Sequence, residues 1–361
     1  MTRPIYASID VDALQHNFNQ VKRLSPESRI MAIVKADAYG HGLLLCCHAL
    51  KEADSFGLLD LGDAITLRKG GFSHPICLLE GFFSSDEIPL IVENNFEPVI
   101  HSDWQLDILD NTPQEIGLAV WLKIDTGMHR LGFVPEQFKS VLKRLSAMKC
   151  IRRVSVMSHL SDADLLKKPK TAHQLKEFLT ITEEASGIDR SIANSAAILA
   201  HPDCHLDWVR PGIMLYGSSP FVDLSASNLN LRPVMSLRSE IISIKDCQKD
   251  DTVGYGSSWH CQQDMKVGVV ACGYGDGYPR HAPSGTPVMV AGKLTQLIGR
   301  VSMDMITVDL RGIDSATTGS PVELWGREVA VDTVAKRAGT ISYELLCGVT
   351  ERVKRQEVIH G

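Results

Sequence analysis

The sequence has no apolar run approaching the roughly 20 residues that a membrane-spanning helix needs; the stretch from Leu43 to Leu50 is among its longest. Its first residues, MTRPIYASIDVDAL, contain no apolar core of the kind that marks a chain for export. Basic charge is not in excess: 37 Lys and Arg stand against 43 Asp and Glu, a net of −6 with histidines neutral. That balance excludes the electrostatic footprint of a nucleic-acid binder, and no membrane partner is expected. The nine cysteines form no CxxC pair, and Cys46 and Cys47 adjoin inside an apolar stretch. We read them as reduced thiols of a cytoplasmic protein. Internal repeats, low-complexity tracts and long flexible linkers are missing too. What remains is 44% hydrophobic and 22% charged, which rules out disorder and collagen-like sequence. At 361 residues the chain exceeds one ordinary core, and its length predicts two or three domains.

Two grammars divide it. From the N-terminal side, short apolar strings alternate with helix-length segments: IMAIVKADA from Ile30, SFGLLDL from Ser55, PICLLEG from Pro75, EPVIH from Glu97, LAVWLKIDTG from Leu118, VSVMSHL from Val154, RSIANSAA from Arg190 and DWVRPGIML from Asp207. Near-continuous apolar strings are expected of parallel strands buried on both faces. Between them lie amphipathic pieces. One starts at Pro135, with a stripe of Phe138, Val141, Leu142 and Leu145; another starts at Lys170, with Leu175, Phe178 and Ile181. Eight such units predict a TIM (β/α)8 barrel over 1–231, with an open doubly wound sheet as the alternative. After Leu231-Arg232-Pro233 the pattern changes to strands punctuated by glycine and proline, with no helix apparent until about Asp332 to Ala338. A mostly β domain is expected over 232–361.

In such a barrel the chemistry lies at the C-terminal ends of the strands. There the sequence places Lys35 with Tyr39-Gly40-His41-Gly42, Asp125-Thr126-Gly127 with Arg130, Ser158-His159, Asn194-Ser195, and Arg210-Pro211-Gly212-Ile213. The loops after strands 7 and 8 commonly cradle phosphate. Ser195 offers a hydroxyl there, and Gly212 allows close backbone approach. A lysine at a strand end reads by itself as a snorkelling side chain at the rim. Its other reading is an amine whose pKa is lowered by burial and nearby cations, suited to a Schiff base. Lysine, phosphate cradle and strand arginine together point to pyridoxal phosphate.

VKADAYGHG around Lys35 resembles the cofactor-lysine block of the alanine racemases, whose usual form has asparagine where this chain has Asp37. KIDTGMHRLGF, SHLSDAD, NSAA, DWVRPGIMLYG, VGYGSSW, GYGDGYPR, GRVSMDM and YELLCG resemble the family's other blocks, in its order. The resemblance spans nearly the whole chain and implies a barrel that binds pyridoxal phosphate, followed by a β domain. It implies that Lys35 bonds the cofactor. Tyr39, Asn194, Ser195, Gly212, Ile213 and Tyr343 would hold the cofactor, and Arg210 would face its ring nitrogen with His159 behind. Arg130 would meet the substrate carboxylate, Lys123 matches a lysine that becomes carbamylated, and the Met303 backbone would touch substrate. Tyr255 matches a second base supplied across a homodimer interface. Tyr274 and Arg280 match the substrate access corridor.

Racemization gives this set a purpose. Inverting an α-carbon needs a base on each face, here Lys35 and Tyr255, and an electron sink, which the cofactor supplies. An always-cationic Arg210 disfavours protonation of the ring nitrogen. Taken singly, Arg130 reads as a surface ion-pair partner and Tyr255 as an ordinary β-domain tyrosine. GYGDGYPR lacks the GxGxxG spacing of a dinucleotide site. The cluster His201, Asp203, Cys204 and His205 lacks zinc spacing, so no metal is expected. Rival readings are a barrel-type amino-acid decarboxylase, a pyridoxal-phosphate-binding protein without an enzyme's chemistry, and a racemase of serine or of broad specificity. The biosynthetic role, D-alanine for peptidoglycan, and the catabolic one both stay open.

Overall fold

The structure is a computed structural model that describes residues 3–113, 115, 117–183, 185 and 187–358. Eight parallel strands close into a barrel: Arg29–Ile33, Ser55–Leu58, Ile76–Leu78, Phe96–Ile100, Leu118–Lys123, Ile151–Met157, Arg190–Ser191 and Trp208–Val209. Closure is made by Arg29 opposite Trp208 and Ile30 opposite Val209, which removes the open-sheet alternative. The apolar strings form strands because both faces are covered: Ser55–Leu58, Ile76–Leu78 and Phe96–Ile100 are buried at every residue. One carboxylate inside this layer is Glu97. Trp121 Nε1 donates to it at 3.0 Å and Arg153 pairs with its other oxygen, so burial leaves it satisfied.

The two amphipathic segments fold as expected. The helix Phe138–Ala147 buries Phe138, Val141 and Leu145, and Lys170–Thr182 buries Phe178. Glu184, within the expected second segment, lies outside the described residues.

The later part of the chain is built mostly of strands. Met235–Cys247 is the axis, thirteen residues long. Its second half pairs with Met265–Val270, beyond a register shift between Ile241 and Ser243. Its first half lies between Pro321–Trp325 and Tyr6–Asp10. Tyr6–Asp10 therefore hydrogen-bonds outside the barrel, although it precedes every barrel strand, and Lys354–Val358 runs parallel along its other edge. Its alternating burial fits a sheet covered mainly on one side.

A helix that the sequence reading did not single out, Ser342–Cys347, follows the expected one at Val331–Ala338. The halves are also joined by Asn17. Its side-chain nitrogen donates to Leu215 O at 3.0 Å and Arg232 O at 2.8 Å, and its oxygen accepts from Arg232 N at 2.8 Å. Gly217 faces the same link at φ +77, and an added Cβ would sit 1.7 Å from Arg232 O, so only glycine fits.

Candidate active site

Lys35 follows the first barrel strand and opens an unusual turn. Ala36, Asp37, Ala38 and Tyr39 all hold φ of 52–54°. Left-handed backbone costs an L-residue roughly 1–2 kcal/mol, so surrounding contacts must hold the turn. The Tyr39 ring stacks on Tyr216, with centroids 4.8 Å apart, and tilts against Tyr343 at 6.1 Å. The Tyr216 hydroxyl in turn donates to Ile33 O at 2.8 Å. The turn thus carries Tyr39 from the lysine to the far side of the mouth, where its hydroxyl lies 2.6 Å from the place an added Gly212 Cβ would occupy.

That far side is a nest of donors. Ser195, buried, accepts from Gly212 N at 2.9 Å and from Met214 N at 3.4 Å, which leaves its own proton to give. Asn194 Oδ1 accepts from Ala197 N at 3.1 Å and so caps the short helix Ser195–Ala200. Ile213 is buried in the turn after Gly212.

Cations crowd the centre. Arg210 is 6% exposed; its guanidinium donates to Ser191 Oγ and Ser158 O, and lies 3.5 Å from His159 Nδ1. Arginine has no acceptor to offer, so Nδ1 receives that contact and the imidazole proton belongs on Nε2. Burial first, then Arg210 and Lys123, keeps His159 well below the usual histidine range, hence neutral. Burial and the neighbouring Arg210 and Arg130 pull Lys123 down to about 8. Lys35 is lowered by burial and then by Arg130. Arg130 leaves a loop pinned by Asp125, whose Oδ1 accepts from Gly127, Met128 and His129 N at 2.9–3.0 Å. A small cleft is lined by Lys123, Arg130 and His159. No carboxylate forms an ion pair with Lys35, Lys123 or Arg130 among the described residues, so the mouth is set for an anion.

The structure does not bring every expected residue to this mouth within one chain. Tyr255, 69% exposed, sits on the turn between Thr252–Val253 and Trp259–His260. Beside it, Gly254 faces the Arg300 backbone. A few residues on, Met303 O accepts from Gly275 N at 2.8 Å and Ser302 O from Tyr274 N at 3.0 Å. Tyr255, Tyr274 and Met303 thus belong to three exposed, adjoining loops of the β domain; Arg280 is exposed as well. The histidines of the 201–205 cluster spend their ring nitrogens on backbone carbonyls, His201 on Ala163 O and His205 on Ile198 O. Sequence reasoning gave no role to Tyr216, His41 or Arg355. Tyr216 and His41 sit inside recognised blocks and Arg355 seven residues past YELLCG, but nothing in the spacing marks their contacts.

Comparison with known proteins gives a consistent answer. Residues 9–220 match the family described as "Alanine racemase, N-terminal domain", and 234–357 match "Alanine racemase, C-terminal domain". The alanine racemase of Vibrio atlanticus (strain LGP32) is 48% identical over 354 residues, covering 98% of both chains. Among solved structures, the biosynthetic alanine racemase from Pseudomonas aeruginosa aligns with a TM-score of 0.96 and 44% identity, over 99% of this chain and 100% of that one. The alanine racemase from Acinetobacter baumannii aligns at 0.94 and 42%, over 99% and 100%. With both halves matched and the identity sustained across nearly its full length, this chain belongs to the alanine racemase family.

Proposed function

We propose that the protein interconverts L- and D-alanine with pyridoxal phosphate held at the barrel mouth. The observation that carries the reading is the half-buried, cation-flanked Lys35 joined by one turn to the hydroxyls of Tyr39 and Ser195 gathered at Gly212. The residues fit the cofactor. The nest has room only because position 212 lacks a Cβ, and Ser195 keeps a proton to donate. When bound, pyridoxal phosphate supplies the electron sink that makes the α-proton of an amino acid removable.

The chain's own side chains do the rest. Tyr39, Asn194, Ser195, Gly212, Ile213 and Tyr343 hold the phosphate end, and Arg210 faces the ring nitrogen. Arg130 receives the substrate carboxylate, which the Met303 backbone also touches. Lys35 exchanges the α-proton on one face, its amine pKa lowered by burial and by Arg130. The other face belongs to Tyr255 of a second copy, which explains why that side chain stands exposed in one chain. Neutral His159, with its proton on Nε2, steadies the Tyr255 phenolate, and Arg210 fixes that tautomer. Tyr274 and Arg280 line the way in. Lys123, at about 8, has enough free amine near neutrality to take up carbon dioxide. The carbamate it forms would turn a cation into an anion beside Arg130 and hold that guanidinium still.

We further propose a cytoplasmic homodimer that supplies D-alanine for peptidoglycan or handles alanine in catabolism, and a domain division near 231/232 with Tyr6–Asp10 lent to the β domain. No helix among the described residues is long and apolar enough to cross a membrane. The test is circular dichroism of the pyridoxal-phosphate-loaded protein with L-alanine, then with D-alanine. Both signals should decay to zero; a stable signal with either enantiomer overturns the reading.

A further inference from the structure

The left-handed turn is held in two ways. From within, buried His41 places Nδ1 2.8 Å from Tyr39 O and 3.1 Å from Ala38 O. Asp37 Oδ1 accepts from Leu43 N at 2.8 Å. From outside, the carbonyl of Gly40 is taken by a residue 315 positions away: Arg355 Nε donates to it at 2.7 Å. The same guanidinium gives Nη2 to Val349 O at 3.3 Å and lies 3.4 Å from Asp37 Oδ2. Gly40, at φ +79, has Leu346 O only 2.2 Å from where a Cβ would be, so the later domain is pressed against the turn there. Arg355 belongs to Lys354–Val358, a strand that has no other part in the site.

We propose that Arg355 is a positioning residue for the barrel mouth. It touches neither substrate nor cofactor. It fixes the turn whose one end sets Lys35 and whose other end sets Tyr39, and so fixes the distance between the cofactor's two anchors. The inference rests on Lys35 being the cofactor lysine. The planar fork matters: three acceptors, two on the turn and one at Val349, share one guanidinium, and a point-like ammonium cannot serve them together. Asp37, where asparagine is usual in the family, adds charge to this clamp. Asparagine would keep the acceptor that Leu43 N uses, so the bond to Gly40 O is the dominant element.

The test compares the unaltered protein with Arg355→Ala, Arg355→Lys and Asp37→Asn. Hydrogen exchange is read by mass spectrometry on cofactor-free protein, and cofactor affinity by titration with pyridoxal phosphate. In Arg355→Ala, exchange should accelerate in 36–43 and stay unchanged in the helix Val11–Leu24. Cofactor affinity should weaken about tenfold and kcat fall up to about 10²-fold, because small misplacements of reacting groups have effects of that size. KM for alanine should move least, since Arg130 receives the carboxylate. Arg355→Lys should fall between, and Asp37→Asn should stay near the unaltered protein. Unaltered exchange in 36–43 with unaltered cofactor affinity in Arg355→Ala overturns the proposal. If Arg355→Ala loosens everywhere, Arg355→Lys decides, local loosening supporting the proposal and unaltered behaviour overturning it. Borohydride fixation of cofactor on the unaltered protein separates the two readings. An adduct that does not map to Lys35 removes the functional reading, whereas the exchange result speaks for the clamp alone.

Discussion

At the barrel mouth Lys35 and Lys123 are half-buried beside other cations, and their amines are pulled below the usual lysine range. On the β domain, Tyr255, Tyr274 and Met303 stand 69%, 40% and 53% exposed. At the mouth Tyr39 is held by the rings of Tyr216 and Tyr343 and Arg210 by Ser191 and Ser158, while Lys35, Lys123 and Arg130 stand without an ion pair among the described residues. The β-domain loops fix their backbones through Ser302 and Met303 carbonyls but leave the side chains pointing outward. The first region perturbs its own groups, and the second leaves its groups open to solvent.

The strongest way to break this comparison is to remove one residue from each region. Lys35→Ala should reduce racemization by roughly 10⁴-fold, and Tyr255→Phe by about 10²-fold or more, within the range of general acid–base catalysis. Equal, small losses measured by polarimetry would show that neither is a base. Mixing the two variants under conditions of subunit exchange sharpens it. A hybrid dimer carries both lesions in one site and neither in the other, so about a quarter of normal activity should return for random pairing of a two-fold dimer. No recovery despite demonstrated exchange would mean that Tyr255 serves its own chain's barrel.

A smaller effect concerns the link between the halves. Asn17→Ala strands two carbonyls and one N–H in a buried place, at a cost of about 2–4 kcal/mol. Urea unfolding followed by tryptophan fluorescence checks this, and an unchanged midpoint counts against it. Smaller again is a pH effect at His41, which burial depresses to about 4 in the folded chain. The unfolded histidine takes up its proton near 6.5, so the stability it contributes is complete above that pH. It is lost as pH falls from about 6.5 to about 4, by up to about 3 kcal/mol at 1.36 kcal/mol per unit. In His41→Gln the difference between unfolding midpoints at pH 7 and pH 5 should shrink; an undiminished difference assigns the effect elsewhere.

The barrel was legible because strands such as LAVWL and PICLL are apolar on both faces and leave no other assignment. The strand Tyr6–Asp10 was not, because its mixed burial suits several folds and its partners begin at Met235 and Lys354. The helix Ser342–Cys347 is too short for periodicity to speak. Within the site, strand ends pointed to Lys35, Arg130, His159 and Arg210. The left-handed turn could not be foreseen, since Ala36, Asp37 and Ala38 include no glycine to announce positive φ. The Gly40–Arg355 bond is tertiary and leaves no local trace.

The placement of Tyr6–Asp10 has a consequence for assembly on the ribosome. These residues emerge before any barrel strand, yet they pair with a strand that starts at Met235 and with another that ends at Val358. This strand must therefore wait for both partners while the barrel is synthesised beside it. Loop closure over so many residues adds little free energy beyond that of a shorter loop; the delay is one of order. Arg355 arrives with that late strand, so the turn behind Lys35 is locked only after the strands of the β domain have been made. A barrel still being made would hold its lysine loosely, and the mouth would take its final geometry at the moment these two strands meet.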